Sequence, residues 1–160
     1  MSQIVVAEQD AFTEGQIVDL GNTDIVSFLA EGGAIPFGRF LELGTDKEKQ
    51  AKIVSAATGI TDPKKIAGFA VRQHTIENPL VGNVGEYLDE ASMSVMKKGR
   101  IAVICVDAFT QDSVVHIGFQ NSEEGLVFGS NSIDRDILAN ARFLNSGGAG
   151  AFAILDLSLV

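Results

Sequence analysis

The sequence predicts an all-β fold, a small β-barrel or jelly-roll-like sandwich with short helices. Three observations carry that prediction. Seventeen glycines against three prolines punctuate short apolar runs at fairly even intervals, the rhythm of turns between short strands. Met93 and Val95 alternate with serines, the period of a half-buried strand. The chain closes on a glycine-rich turn and a strongly apolar run, Ala151 to Val160, which must be docked rather than frayed.

The elements follow in order. "QIVVAE" reads as an apolar arm, and residues 1–14 are a candidate extended arm. Ile17 and Val18 lead into the turn-prone Gly21-Asn22. "TDIVSFLAE" fits a helix opening at Thr23 or an extended segment, and periodicity does not choose. "AIPFGRFLELG" reads as a strand, with Pro36 at its start or on an edge because proline has no N–H to give. In "TDKEKQAKIVSAATG" Thr45 and Glu48 form a capping-box pattern, and a loop or short helix entering a strand is expected. "TDPKK" is a turn and "IAGFAVRQHTIE" a strand. "NPLVGNVGEYLDE" is a long glycine-bearing loop.

Next comes "SVMKKGRIAVICVD", where Lys97, Lys98 and Arg100 interrupt an apolar run. "KKG" reads as a tight turn between two strands, with Gly99 free to take a positive φ. In the second of these strands Ile101, Val103 and Cys105 share one face and Ala102, Ile104 and Val106 the other. Both faces are apolar, so this strand is central and covered on both sides. Two strands flank the polar "QNSEEG". In "SNSIDRDILANARF", Ile133, Ile137 and Leu138 fit a helical face, and an extended path fits too. With no repeat, linker or composition break, residues 1–160 are expected to form a single domain, long enough to bury roughly 68–70% of the unfolded surface.

Composition excludes several classes of function. Twelve basic against 21 acidic residues give a net charge of −9, which repels phosphate backbones, so no nucleic-acid partner is expected. The single cysteine, Cys105, has no disulfide partner and lies in an apolar run as a small buried hydrophobe. The N-terminus lacks the charged region and long apolar stretch of a signal peptide, and no window reaches about 18 apolar residues, so a soluble, cytoplasmically made protein without a membrane partner is expected.

Catalytic patterns are missing. His74 and His116 stand alone in strand-like runs, without the ligand spacing of a zinc site. Gly-x-Ser-x-Gly is absent. "GGAGAF" lacks the helix and the distant acid of a dinucleotide loop, and there is no Gly-Lys-Ser/Thr. The acidic residues are scattered, without calcium-loop spacing. No cofactor, metal or enzyme activity is expected. Lys97 and Lys98 read as solvated turn charges, and Arg100 as an arginine able to anchor a protein contact.

Four segments in order then carry a family resemblance. "GQIVDLGNTDIVSFLAEGGAIPFGRFLELGT", "AGFAVRQHT", "SVMKKGRIAV" and "ARFLNSGGAGAFAILDLSL" resemble the successive segments of phage structural cement proteins, the capsid decoration proteins of tailed double-stranded DNA phages. The resemblance spans roughly Gly15 to Leu159. "TDKEKQAKIVSAATGITDPKK" and "ENPLVGNVGEY" depart from it. It implies a non-enzymatic virion protein, made in the host cytoplasm and bound to the outside of a mature capsid. There it would bridge subunits of the major capsid protein and associate with its own copies as dimers or trimers. The expected contacts are the arm residues Ile4, Val5 and Val6, the ends of "AIPFGRF" at Pro36, Phe37 and Arg39, and the basic set Lys97, Lys98 and Arg100. The competing reading is a small β-barrel binding module, for example for glycan, on a virion or cell surface. One tyrosine and no tryptophan count against it, because sugar sites favour flat aromatics.

Overall fold

The computed structural model describes residues 12–73 and 85–159. The fold is all-β, with one four-residue helix among the described residues. The strands are β1 (Gln16–Ala30), β2 (Ile35–Pro36), β3 (Phe40–Leu43), β4 (Gln50–Ile53), β5 (Ile66–Ala70), β6 (Glu86–Tyr87), β7 (Ser92–Ile104), β8 (Val114–Gly118), β9 (Val127–Phe128), β10 (Arg135–Phe143) and β11 (Phe152–Ser158). The helix, α1, is Thr58–Thr61. The candidate arm, residues 1–14, lies outside the described residues up to position 11, as does His74.

Nine strands form one hydrogen-bonded sheet in the order β1-β4-β3-β5-β7-β11-β10-β8-β9. β1 also pairs with β7, so β1, β4, β3, β5 and β7 close into a circuit. A parallel bridge between Cys105 and Val127 returns β9 to the end of β7. The strands β7, β11, β10, β8 and β9 thereby close a second circuit, and β7 belongs to both. Among the strand pairs of the described residues only β1–β4 is parallel.

Each circuit encloses an apolar cluster. Phe28, Leu41, Ala51, Ala70, Met93 and Val95 bring the strands of the first together. Ile101, Val103, Ile117, Val127, Leu138 and Leu155 do the same for the second. Phe40, Phe69 and Met96, from the outer side of the first circuit, join the second cluster, with the Phe40 and Phe69 rings edge to face at 5.3 Å.

The structure corrects the reading of the basic stretch. Lys97-Lys98-Gly99 is not a hairpin turn, because β7 runs unbroken for 13 residues through it. It is a bulge. β1 pairs Ile25 with Met96 and then Asp24 with Lys98, so Lys97 is the extra residue, and Gly99 sits at φ +128°. The bulge inverts the pleat. Before it Val95 faces the first circuit and Met96 the second cluster; after it Ile101 and Val103 face the second. One strand can serve both cores only because its phase is reset there.

β1 answers this with a bulge of its own. Between Asp19, opposite Arg100, and Asp24, opposite Lys98, four residues of β1 stand against Gly99 alone, and Asn22 takes φ +55°. The open choice for "TDIVSFLAE" and "SNSIDRDILANARF" falls to strand in both, since β7 and β11 supply partners along them. Two other expectations fail locally. The Thr45–Glu48 pattern caps no helix; the Asp46 carbonyl accepts from Lys49 and Gln50 and turns the chain into β4. "AIPFGRFLELG" is two strands, divided at Gly38, whose N–H donates to the Ala70 carbonyl at 2.8 Å.

Tyr87, the one tyrosine, closes an end of the first circuit. Its fully buried ring meets Phe37 edge to face at 5.1 Å. Its hydroxyl donates to the Val71 carbonyl at 2.5 Å and accepts the Ser94 N–H at 3.3 Å. Burial raises its pKa. Removing the hydroxyl leaves a buried carbonyl without that donor, so Tyr87→Phe is expected to cost about 1–2 kcal/mol in urea unfolding. A neutral result would mean the hydroxyl contributes nothing net.

Candidate interaction surface

The expected contact residues divide sharply. Phe37 is 1% exposed and presents no surface, its ring being packed on Tyr87. Pro36 is half-buried in β2. Arg39 is half-buried and donates from Nη1 to the Glu124 carbonyl at 2.9 Å, while the Phe40 N–H donates to the Gly125 carbonyl at 3.0 Å. Together they clamp the loop before β9 onto β3. Burial lowers the Arg39 pKa, with the Glu14 and Glu124 charges opposing it. Burial likewise raises the Glu14 carboxyl against the pull of Arg39. Ile4, Val5 and Val6 lie outside the described residues.

The basic set lies at the bulge. Lys97 is partly buried, its ammonium 6.0 Å from the Phe28 ring centroid. Lys98 is exposed. Arg100 points outward, Nη1 lying 3.8 Å from Asp19 Oδ2. It belongs to a longer pattern. Arg100 pairs in register with Asp19 of β1 on one side and Asp156 of β11 on the other. Asp156 in turn pairs with Arg142 of β10, with Arg142 Nη2 at 3.1 Å from its Oδ2. Residues paired across a sheet share a face. Arg142, Asp156, Arg100 and Asp19 therefore form an alternating row of charge across four strands. No local motif marks it, because its members lie up to 137 positions apart and each alone resembles a solvated charge.

A second polar assembly is internal. Arg135 reaches Glu123 through both arms, Nε to Oε2 at 2.9 Å and Nη2 to Oε1 at 3.0 Å. Its Nη1 lies 3.4 Å from Asp107 Oδ2, and the guanidinium stacks 3.6 Å above the Phe128 ring centroid. Asp107 also accepts the Gly129 N–H and the Ser130 hydroxyl. Burial alone would raise the Asp107 carboxyl. The Ser130 and Gly129 hydrogen bonds and the Arg135 charge outweigh it and hold the pKa below the ordinary value of 3.8. These groups tie the end of β7 to β9, β10 and the loop between β8 and β9.

Reactive groups elsewhere are put to structural use. Cys105 is fully buried, and burial pushes its thiol up to about 12. The nucleophile is the thiolate, so folded protein is expected to resist a disulfide exchange reagent at pH 8 and to react once unfolded in guanidinium. Rapid labelling of folded protein would contradict this placement. His116 is buried, with Nδ1 3.0 Å from the Val114 carbonyl. Among the described residues no three or more His, Cys, Asp or Glu side chains gather in a group able to hold a metal ion.

What this geometry offers is surface: a closed, internally tied β-scaffold displaying charge and partly buried apolar side chains. The comparison with protein families agrees with the resemblance read from the four segments. Residues 1–158 match the family described as structural cement protein (E217 gp24/Pam3 gp6), and the chain belongs to that family. It is a structural protein of a phage. A chain in the solved capsid of Myoviridae phage XM1 shares 18% identity, covers 93% of this chain and 92% of its own, and superposes with a TM-score of 0.70, so the fold is common to both. The N base of head fibre gp8.5 of bacteriophage phi29 aligns over 85% of this chain and 94% of its own, at 11% identity and a TM-score of 0.49. No curated protein matches the chain.

Proposed function

We propose that the protein binds the outer surface of a mature phage capsid and bridges neighbouring subunits of its major capsid protein. Membership of the cement family along residues 1–158 is the observation that carries this reading. The physics is linkage. A protein that binds only the mature lattice stabilises that lattice against disassembly. A net charge of −9 suits a position away from packaged DNA. The arm residues Ile4, Val5 and Val6, with Pro36, are the contacts proposed for the shell.

Co-sedimentation of the purified protein with mature capsids lacking it, with procapsids as control, tests the proposal. Saturation at a fixed ratio to the major capsid protein, on mature shells only, is expected. Binding to neither shell, or equally to both, would overturn it.

A further inference from the structure

The first circuit closes from β1 to β4 through only two residue pairs, Leu29 with Gln50 and Ala30 with Ala51. Backbone groups along a strand alternate between its two edges. The Ala30 N–H donates to the Ala91 carbonyl at 2.9 Å, toward β7, and the Leu29 N–H donates to the Lys49 carbonyl at 2.7 Å, toward β4. The same alternation turns Val26 and Phe28 to β7, where they stand opposite Val95 and Met93, and turns Ile25 and Ser27 to the β4 edge. β4 begins at Gln50 and runs parallel to β1, away from Ser27. No strand among the described residues therefore lies along that edge at Ile25 and Ser27, and their N–H and carbonyl groups face outward there.

Side chains complete the site. Val26, Phe28 and Ala30 pack in the core of the circuit, so Ile25, Ser27 and Leu29 lie on its outer face. Ile25 is 39% and Leu29 41% exposed, and the two aliphatic side chains flank the small Ser27 beside the open backbone. Exposed sheet edges are normally blunted by lysine, proline or a bulge. The wide bulge of β1 ends before Asp24, and no lysine or proline occurs from Asp24 to Leu29. The open stretch is thus bounded by the bulge at one end and by β4 at the other, and is left unguarded between them.

In-line alternation of donors and acceptors is matched by the backbone of an extended polypeptide. Charge decides whose backbone. On the open side Asp24 stands at one end, and Asp46 and Glu48, with Lys47 and Lys49, stand in the turn before β4 at the other, three carboxylates to two ammonium groups. Lys97 and Lys98 lie across β1, on β7. The whole chain carries −9, so a second copy is repelled from this acidic margin. A complementary segment comes from a different protein, has apolar side chains at alternate positions to cover Ile25 and Leu29, and carries a basic residue near Asp24. We infer that the edge of β1 from Asp24 to Phe28 takes up such a segment of the major capsid protein as an added strand, an inference that rests on the capsid-binding reading above.

Hydrogen exchange resolved to single residues, on the free protein and on the protein saturating mature capsids, tests the pairing. The Ile25 and Ser27 amides are expected to exchange quickly in the free protein and at least about tenfold more slowly on the shell, while Val26 and Phe28, already turned to β7, stay unchanged. Ser27→Pro removes an N–H on the open edge and leaves the ladder to β7 in place. It is expected to weaken co-sedimentation with mature capsids by at least about tenfold. Ile25→Lys keeps every backbone group, loses the exposed aliphatic contact and is expected to weaken binding as well, so the test stands if proline costs the fold. Ile133→Lys, at a side chain 87% exposed in the loop before β10, is the control and leaves binding unchanged. Near-ultraviolet circular dichroism verifies that each variant is folded. A wild type that binds no shell sinks the capsid reading and this inference together. A wild type that binds while its Ile25 and Ser27 amides still exchange quickly, or while the folded edge variants bind normally, sinks the inference alone. Slowing in the free protein that grows with concentration would assign the edge to a second copy and overturn it too.

Discussion

Replacing Arg135 with methionine is expected to lower the folding stability by about 2–3 kcal/mol, below the 3–5 typical of a broken fully buried pair because the group keeps some exposure. Methionine preserves much of the packing on Phe128 but leaves Glu123 and Asp107 facing each other without a cation. For a chain of this length the melting temperature should fall by roughly 5–10 °C. A loss below about 0.5 kcal/mol would place the cluster with ordinary surface ion pairs. The acid limb of the stability curve gives an independent reading. The Asp107 pKa is depressed in the folded state, so its contribution is complete above the unfolded value of 3.8 and is lost as pH falls through the lower folded value. Melting temperatures between pH 2 and 6 should therefore fall less steeply for Arg135→Met than for the wild type. Parallel curves would show that Arg135 does not hold the carboxylate.

Gly68→Ala should be more damaging still, by about 3–5 kcal/mol in urea unfolding. Gly68 holds φ +136° at the register shift between β3 and β5. A methyl group there would strike the carbonyl of Met96 on β7, a backbone atom that cannot rotate away. Gly32→Ala separates the two costs. Gly32 has φ +86° but open space around the added carbon, so it reports backbone strain alone, about 1–2 kcal/mol. If the two variants lose the same stability, the close approach of β5 to β7 is not what requires glycine.

The legibility of this fold in its sequence depended on how far the deciding partner lies along the chain. Met93 and Val95, then Ile101, Val103 and Cys105, announce strands because alternation is a local property. Lys97-Lys98-Gly99 misleads because charge plus glycine suits a tight turn and a solvated bulge equally. What decides is that Asp24 and Ser158 occupy the two flanks of Lys98, and they lie 74 and 60 residues away. Ile133, Ile137 and Leu138 kept both helix and strand open until β8 and β11 supplied pairing. The Thr45–Glu48 pattern fails for another reason: β4 must return to pair with β3 within a few residues, leaving no length for a helix.

The surface was legible only in part. In the sequence Arg100 reads as an arginine at the start of a strand able to anchor a contact, and in the fold its side chain lies beside Asp19 on an outward face. Its companions Asp156 and Arg142 carry no such mark, since nothing local distinguishes them from scattered charges. Phe37 and Arg39 read as surface contacts in the sequence because "AIPFGRF" reads as a strand with uncovered ends. The turn at Gly38 instead folds the phenylalanine under Tyr87 and brings the arginine to the Glu124 carbonyl. Nothing local marks Arg135, because Asp107, Glu123 and Ser130 meet it only once the second circuit has closed.

The sharing of β7 bears on how the molecule comes apart. Each circuit needs this strand, so neither can open and leave the other intact. Denaturation should show one transition by every probe, with no half-folded species from which fragments could be nicked or mispaired. Amides along β7 should exchange with solvent only through complete unfolding, while α1 and the loop around Asn121 exchange through local fraying. Damage to one half is then never silent: the protein is either whole or wholly undone.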